Sequence, residues 1–228
     1  MKLGVLFSGG KDSCLAMLKA SKHHEIACLI TILPRCKESY MFHIPNVNLT
    51  SLQAKALGLS LIKASTPGEK EKELSQLKQA IQLAIKKFKI SGVVSGAVAS
   101  TYQASRIQRI CNKLNIWCFN PLWQLDQYEL LKELQKEKFE VIISGVFAYP
   151  FGKEWLGRKL DKKAIKELLE INKTVPLNLA GEGGEYETFV LDCPLFKKKI
   201  KILNANKEYK NYTGVYKIIK AKLLTKNE

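Results

Sequence analysis

From residue 1 to about residue 150, short apolar runs alternate with segments that have helical periodicity. Continuous apolar runs between helical patterns are typical of parallel strands that helices cover on both faces. The runs predict strands at Leu3–Phe7, Ile26–Leu33, Leu59–Ala64, Gly92–Ser95, Ile116–Phe119 and Phe139–Gly145. We therefore predict an α/β fold with a Rossmann-like parallel sheet and helices on both faces.

Three local signals place helices between these strands. Asp126 and Glu129 form a capping box at the start of one helix, and Gly58 after Leu57 is typical of a helix end. A third helix is predicted from apolar residues spaced three and four positions apart, namely Leu74, Leu77, Ile81, Ile85 and Phe88.

After about Tyr149 the alternation ends, which predicts a smaller C-terminal α+β portion and domains over residues 1–148 and 149–228. A helix is expected over Asp161–Ile171. Short β-like runs follow at Phe189–Leu191, Ile200–Leu203 and Val215–Leu224. We interpret the lysine-rich run over residues 197–201 as a solvated strand edge in preference to a binding patch, because lysines protect sheet edges.

The chain is strongly basic, with 37 Lys and Arg against 21 Asp and Glu and a net charge of +16. Cations that displace counterions favour nucleic-acid binding. Only four of these cations are Arg, however, and Arg is the residue that makes bidentate phosphate contacts. Nucleic acid is therefore not expected as the primary substrate.

Membrane and disulfide-rich classes are excluded by the same composition. The longest stretches without Lys, Arg, Asp or Glu, over residues 39–54 and 90–105, are too short and too polar to span a bilayer. The start of the chain has no secretory signal, so a cytoplasmic location is expected. The six cysteines include no C-x-x-C pair, which argues for reduced thiols in the core and against a zinc site.

The segment Ser8-Gly9-Gly10-Lys11-Asp12-Ser13 directly follows the first strand and precedes a helix. Glycines let backbone N–H groups approach a ligand, and a helix N-terminus attracts phosphate. Ser8 and Ser13 add hydroxyls, Lys11 a charge, and Asp12 a carboxylate suited to Mg²⁺ on a polyphosphate. The alternative is an ordinary turn in which Asp12 only caps the helix. The position after a parallel strand favours a polyphosphate site.

Two further segments carry unusual residue patterns. In Ser95–Ser100, Gly96 and Ala97 allow close approach of the backbone, although simple packing with Ser100 as a helix cap is the alternative. In Gly181–Thr188, three glutamates are interleaved with glycines. They would repel one another on a bare surface and are suited to face a cation or metal, whereas the alternative is an acidic surface turn.

The Ser8–Ser13 loop resembles the PP-loop of ATP pyrophosphatases. Together with four other motifs, this loop resembles the diphthine–ammonia ligase family over residues 3 to about 203. The four other motifs are S-Y-M-F-H (Ser39–His43), S-G-A-V-A-S-x-Y-Q (Ser95–Gln103), P-L-W-Q-L-D-Q (Pro121–Gln127) and G-E-G-G-E-Y-E-T-F-V-L-D-C-P-L-F (Gly181–Phe196). The resemblance implies amidation of diphthine on translation elongation factor 2. It further implies that ATP and Mg²⁺ activate the carboxylate as an acyl-adenylate, with release of pyrophosphate. Ammonia then attacks the acyl-adenylate and AMP is released.

The resemblance also implies roles for individual residues. Those expected to bind ATP are Ser8, Gly9, Gly10, Lys11, Asp12, Ser13, Gly96, Ala97 and Ser100, with Asp12 also holding the metal. Those expected to act in catalysis are Lys11, Asp12, Glu182, Glu185 and Glu187. Those expected to bind substrate are Tyr102, Gln103, Gly183, Gly184, Tyr186 and Thr188. Tyr186 and Trp123 are suited to cation–π contacts with the trimethylammonium group of diphthine.

Two residues near these motifs are interpreted as structural. A lone His43 is more often structural than catalytic, and the strand context of Cys193 favours core packing over a thioester. The rival hypotheses are a tRNA-modifying PP-loop enzyme and a nucleotide-binding protein without turnover. The Lys-rich, Arg-poor surface is expected to steer the protein toward an acidic protein partner.

Overall fold

The alternating half of the chain folds into a five-stranded sheet in which every neighbouring pair of strands is parallel. The structure, a computed structural model, describes residues 1–34, 45–66 and 70–226. The strands, in the spatial order β3-β2-β1-β4-β5, are β1 (Lys2–Leu6), β2 (Glu25–Pro34), β3 (Ser60–Thr66), β4 (Gly92–Val94) and β5 (Trp117–Phe119). The predicted Rossmann-like parallel sheet is confirmed.

Helices cover both faces of this sheet. On β2, Leu29 packs in one apolar cluster while Cys28 and Ile30 pack in the other, because successive side chains of a strand point to opposite faces. The helices are α1 (Lys11–Ser21), α2 (Thr50–Leu57), α3 (Lys70–Phe88), α4 (Thr101–Lys113), α5 (Gln127–Lys136) and α6 (Lys162–Asn172). The first cluster contains residues of α1, α2 and α5, and the second contains residues of α3 and α4.

A second, antiparallel sheet of four strands lies in the C-terminal part, in the spatial order β7-β6-β9-β8. Its strands are β6 (Glu140–Val146), β7 (Tyr186–Asp192), β8 (Lys198–Lys210) and β9 (Thr213–Thr225). The assignment of Phe139–Gly145 to the parallel sheet was wrong, since β6 pairs antiparallel with β7 and β9. A strand buried between two neighbours has the same continuous apolar sequence in either kind of sheet. The domain boundary between residues 148 and 149 stays a prediction. Strand β6 belongs to the second sheet although it lies before that boundary in the chain.

The last two strands are longer than their apolar runs. Strands β8 and β9 each extend over 13 residues, beyond the predicted Ile200–Leu203 and Val215–Leu224. The added part of β8 is largely exposed, so it lacks the apolar alternation that marks a half-buried strand. β8 is an edge strand with exposed Lys198 and Lys201, so the lysine run lies along a strand edge as predicted, while the choice against a binding patch is not tested by this position.

Helix ends follow the local signals. Asp126 accepts hydrogen bonds from the amides of Tyr128 and Glu129, and Asp161 caps α6 by accepting from Ala164. Gly58 ends α2 with a φ of 71°. No helix in the described part of the chain is both long and apolar enough to cross a bilayer.

Replacing Asp126 by Ala should lower the free energy of unfolding by about 1 kcal/mol, because two amides in the first turn of α5 lose their acceptor. Urea unfolding followed by circular dichroism measures the change. Asp126→Asn is the matched control, since Asn caps helices as well as Asp does. Equal losses in the two variants would contradict the assignment of the effect to capping.

Candidate functional site

A cavity lies at the carboxyl ends of β1 and β4, the two neighbouring strands at which the strand order reverses. Ligands of open α/β sheets bind at this point. The cavity is lined by residues of the three segments Ser8–Ser13, Ser95–Ser100 and Gly181–Thr188, or of the helix turn that follows the second. Its lining includes Ser8, Asp12 and Ser13 of the loop, Ser95, Gly96, Ala97 and Gln103 of the second segment, and Glu182 and Glu187 of the third.

The other wall of the cavity is apolar. It is formed by side chains at the end of β1, on β2 and in the short turn before α2, together with residues of α3 and α4. These side chains are Leu6, Phe7, Ile30, Ile32, Val47, Leu77 and Ile107. A cavity with one apolar wall and one wall of hydroxyls and carboxylates suits a ligand that has a flat apolar part and a charged part.

The loop between β1 and α1 has a conformation that requires glycine. Gly9 has a φ of 82°, and Gly10 is the N-cap of α1. Asp12 therefore does not cap this helix, and the alternative interpretation of the loop was wrong on that point. The Ser13 hydroxyl donates to the Gly10 carbonyl at 3.1 Å, and the Ser8 hydroxyl donates to Ser13 Oγ at 3.2 Å. These bonds make the loop a tight turn at the base of the cavity.

The loop is fastened to β7 of the second sheet. The Val190 amide donates to the Gly9 carbonyl at 3.0 Å, and the Lys11 amide donates to Thr188 Oγ1 at 3.1 Å. Thr188 was predicted to bind substrate, but its hydroxyl accepts a hydrogen bond from the first turn of α1. The contact joins the two sheets at the site.

Gln53 on α2 is part of the same junction and was missed by the sequence analysis. Its Nε2 donates to the carbonyls of Gly9 and Val190, each at 2.9 Å, and its side chain is fully buried. The signal available in the sequence was a polar residue among the apolar residues Leu52, Ala54 and Leu57 that precede the helix end at Gly58. That signal identifies a buried polar contact but not its partners.

Lys11 does not line the cavity. Its side chain is 3% exposed, its ammonium binds Asp12 Oδ2 at 2.8 Å, and it lies 5.6 Å from the centre of the Tyr186 ring. Burial alone would lower the pKa of Lys11, but Asp12 and Tyr186 raise it above its ordinary value. Lys11 is thus a permanent cation that orients Asp12 from beneath the loop.

Asp12 is the residue best placed to hold a metal ion. One carboxylate oxygen binds Lys11, whereas the buried Oδ1 has no hydrogen-bond partner among the described residues, and Asp12 lines the cavity. No group of three His, Cys, Asp or Glu side chains in the described ranges is arranged to hold a metal. The donor set fits Mg²⁺, which is bound through one or two carboxylates together with phosphates and water.

Gly96 gives the close approach that the second segment predicts. A Cβ at this position would lie 2.8 Å from the amide nitrogen of Ser13, so any side chain would press on the first turn of α1. Ser100 caps α4 by accepting from the Gln103 amide, as the alternative interpretation proposed. Tyr102 does not line the cavity, and its ring lies 3.4 Å from the Arg106 guanidinium.

The glutamates of the third segment separate in space. Glu182 and Glu187 line the cavity, and Glu182 Oε2 accepts from the Ala99 amide at 3.3 Å. Glu185 Oε1 instead accepts from the Asn178 amide at 3.0 Å, which fixes the preceding loop. Gly183 and Gly184 are exposed and do not line the cavity.

Tyr186 lies beneath this segment as a buried support. Its hydroxyl donates to the Leu179 carbonyl at 2.6 Å, and its ring packs against Phe151 and Lys11. The cation that its ring contacts is therefore Lys11. Trp123 does not line the cavity at the ends of β1 and β4.

The two cavity glutamates hold their protons more tightly than ordinary carboxyls. Burial, with the negative charges of Asp12 and Glu182 added, raises the pKa of Glu187 to about 7. Burial and the Asp12 charge also raise the pKa of Glu182. Carboxyls with raised pKa values are candidates for proton transfer.

The remaining candidates lie away from this chemistry. Cys193 is buried, and burial raises its pKa to about 11, which disfavours a nucleophilic thiolate. The thiols of Cys111 and Cys118 contact each other, but neither residue lines the cavity at the ends of β1 and β4. His43 and Cys36, with the Ser39–His43 motif, lie outside the described residues.

A second cavity adjoins the first through Glu182. It is lined by Val98, Ala99, Gln124, Leu125, Asp126, Gln127, Tyr128, Asn172, Asn178, Leu179 and Glu182. Several of its polar side chains support the backbone, since Asn178 Oδ1 accepts from the amides of Ala180 and Glu182. Glu182 thus lies at the boundary of the two cavities.

Comparison with known families matches both parts of the chain. The diphthamide synthase N-terminal domain matches residues 1–117, and the diphthamide synthase C-terminal domain matches residues 126–224. A diphthine–ammonia ligase of Rattus norvegicus is 35% identical over 222 residues, which are 89% of this chain and 83% of that protein. The Homo sapiens diphthine–ammonia ligase is 33% identical over 88% of this chain and 82% of its own length.

Longer relatives also match. The Schizosaccharomyces pombe diphthine–ammonia ligase is 31% identical over 100% of this chain and 40% of its own length. Among solved structures, a predicted subunit of tRNA methyltransferase from Methanocaldococcus jannaschii aligns with a TM-score of 0.43 at 22% identity, over 85% of this chain and 98% of that chain.

Replacing Gln53 by Leu should lower the free energy of unfolding by about 2 kcal/mol, because the buried Val190 and Gly9 carbonyls lose a donor. Nucleotide affinity should fall as well, since the loop loses its link to α2. Urea unfolding and calorimetric titration with ATP measure the two effects. Gln108→Leu, at an exposed position of α4, is the control and should change neither. A stable Gln53→Leu variant with normal affinity would overturn this role.

Glu187 should make the protein less stable as pH rises. The unfolded chain releases this proton near the ordinary value of 4.5 and the folded chain near 7, so the folded state binds more protons in between. The free energy of unfolding therefore falls as pH rises from about 4.5 to about 7. Chemical unfolding across this range should show a flatter dependence for Glu187→Gln. An unchanged slope would contradict the assignment.

Proposed function

The chain belongs to the diphthamide synthase family, and on that premise we propose that it amidates diphthine to diphthamide in an ATP-dependent reaction. The observation that carries the proposal is the convergence of the Ser8–Ser13 loop, the Gly96 segment and two glutamates on one cavity. Family membership supplies the substrate class, and the cavity supplies groups suited to a nucleotide and to a proton transfer.

We assign the apolar wall to the nucleoside and the loop to the phosphates of ATP. Ile30, Ile32 and Leu77 offer apolar side chains for packing against a base, while Ser8 and Ser13 lie beside the N-terminus of α1. That helix end attracts negative charge. In this assignment the phosphates of ATP lie toward Asp12 and the glutamates.

The first chemical step is adenylation. A diphthine carboxylate oxygen bonds to the α-phosphorus of ATP, the bond from that phosphorus to the bridging oxygen breaks, and pyrophosphate leaves. Mg²⁺ bound at Asp12 would neutralise charge on the phosphates. Lys11 keeps the Asp12 carboxylate oriented with its free oxygen available, and fixed dipoles of the α1 N-terminus stabilise the developing charge.

The second step forms the amide. Ammonia attacks the acyl carbon, the bond to the AMP oxygen breaks, and the attacking nitrogen loses a proton. Glu187 is the best-placed acceptor, because it lines the cavity and its pKa of about 7 is close to working pH. Glu182 faces the same cavity and is suited to hold the trimethylammonium group of diphthine. The protein substrate in this proposal is translation elongation factor 2.

The decisive experiment incubates the protein with ATP, Mg²⁺, ammonium and diphthine-modified elongation factor 2. We expect the small mass loss that accompanies conversion of a carboxylate to an amide, together with release of AMP and pyrophosphate. Intact-protein mass spectrometry and nucleotide chromatography measure both. Absence of the mass change would overturn the proposed activity, and AMP release with tRNA in its place would favour a tRNA-modifying enzyme.

Glu187→Gln should lower kcat for amidation by about 10² or more, because ammonia loses its proton acceptor. Exchange of labelled pyrophosphate into ATP should persist, since adenylation does not need this base. Glu185→Gln is the matched comparison and should be milder, because Glu185 binds the Asn178 amide outside the cavity. A larger loss in Glu185→Gln than in Glu187→Gln would reverse the assignment.

A further inference from the structure

The C-terminal hairpin carries much of the positive charge of the chain. Residues 197–226, here called the basic ribbon, comprise β8, β9 and their flanks. They contain ten lysines, no arginine and one acid, Glu208, which is a net charge of +9 out of +16 for the whole chain. The lysines are at positions 197, 198, 199, 201, 207, 210, 217, 220, 222 and 226.

These lysines are not neutralised within the fold. In the described part of the chain, Lys226 pairs with Asp192 at 2.8 Å, and the other nine have no acid within ion-pair distance. Lys201 lies directly opposite Lys222 in the strand register. Like charges at opposite positions destabilise an antiparallel pair. Such a destabilising pair is expected to persist where the two lysines bind an external partner.

Apolar side chains are set among the lysines. The strand register shifts on both sides of the Asn204–Lys220 pair, so Leu203 is the extra residue on β8 and Ile219 the extra residue on β9. Both are exposed, at 44% and 52%. Bulges re-aim side chains at functional edges of sheets. Two bulges on opposite strands have here turned two aliphatic side chains to solvent within a basic surface.

The turn of the ribbon adds an aromatic pair. Tyr212 and Tyr149 are both exposed and their rings meet edge to face at 5.2 Å. These two tyrosines, Leu203 and Ile219 make up more than half of the exposed large apolar residues in the described ranges. Aromatic and aliphatic anchors within a charged rim are typical of protein–protein interfaces, whereas a phosphate-binding strip is expected to be polar and rich in Arg.

The ribbon is connected in register to the candidate site. Tyr186 on β7 pairs with Val146 on β6, and Val146 pairs with Gly214 on β9. Adjacent strands lie about 4.8 Å apart, so the turn end of the ribbon begins about 10 Å from the glutamate-bearing strand. Leu203 and Ile219 lie about 20 Å farther along the strands. A large protein partner that contacts both the apolar pair and the turn end therefore extends toward the strand that carries the site glutamates.

We propose that the basic ribbon is the docking surface for an acidic face of the protein substrate, with Leu203 and Ile219 inserted into that face. This rests on the proposed function, which makes the substrate a protein residue delivered to the cavity by a large partner. The lysines steer the encounter, and the apolar pair fixes the docked position.

The test compares three variants of the full chain. Lys201→Glu/Lys220→Glu/Lys222→Glu reverses charge on the ribbon. Leu203→Ser/Ile219→Ser removes the apolar pair. The control, Lys86→Glu/Lys87→Glu/Lys113→Glu, makes the same charge change at exposed positions of α3 and α4. Circular dichroism and ATP affinity should be unchanged in all three.

Binding of diphthine-bearing elongation factor, measured without ATP over a range of salt concentrations, decides the proposal. The ribbon charge variant should raise the Kd about tenfold and flatten its salt dependence, and the serine variant should raise the Kd while retaining that dependence. The control should bind as the wild type does. Equal binding by all variants, or no binding by the wild type, would overturn the docking surface.

Two further measurements separate this proposal from its alternatives. A short diphthine-bearing peptide, too small to reach the ribbon, should be amidated with the same KM by the wild type and the ribbon variants. Failure of the wild type on both peptide and factor would overturn the proposed function, whereas the binding result judges docking independently. If the charge variant loses affinity for tRNA or for phosphatidylserine vesicles but not for the factor, the protein-docking surface is refuted.

Discussion

The geometry of the site depends on a few hydrogen bonds between the β1–α1 loop and strand β7. The Gly9 carbonyl accepts from Val190, the Lys11 amide donates to Thr188, and Gln53 holds the Gly9 and Val190 carbonyls together. These bonds are buried, so each would leave an unsatisfied polar group if it broke. Loop and glutamates consequently keep their relative positions only while the two sheets stay joined here.

The distribution of charge follows from that junction. Because Lys11 is held under the loop by Asp12 and the Tyr186 ring, its positive charge orients a carboxylate and does not face the cavity. Among the described residues, the cavity wall then contains the carboxylates of Asp12, Glu182 and Glu187 and no Lys or Arg. Burial first, and then the neighbouring negative charges, raise the pKa values of Glu182 and Glu187, so this wall favours protons or an incoming cation. A bound metal ion would return them toward ionisation.

Local features of this site could be predicted from the sequence, and relations between distant segments could not. The loop after β1 and the close approach at Gly96 follow from residue type and position in a parallel sheet. The partners of Gln53 lie 44 and 137 positions away along the chain. Nothing local distinguishes Glu185, which binds backbone, from Glu187, which faces the cavity. The apolar strand β6 likewise fits either sheet until its neighbours are known.

The orientation of two carbonyls in the loop has a consequence for which ligands it accepts. The Gly9 carbonyl is held by β7 and Gln53, and the Gly10 carbonyl receives the Ser13 hydroxyl and the Cys14 amide. The negative ends of both peptide dipoles are thereby engaged by the protein. An approaching anion meets less repulsion than an unconstrained glycine turn would present. The fixed orientation of these two peptide groups thus makes the loop favour anionic ligands over cationic ones.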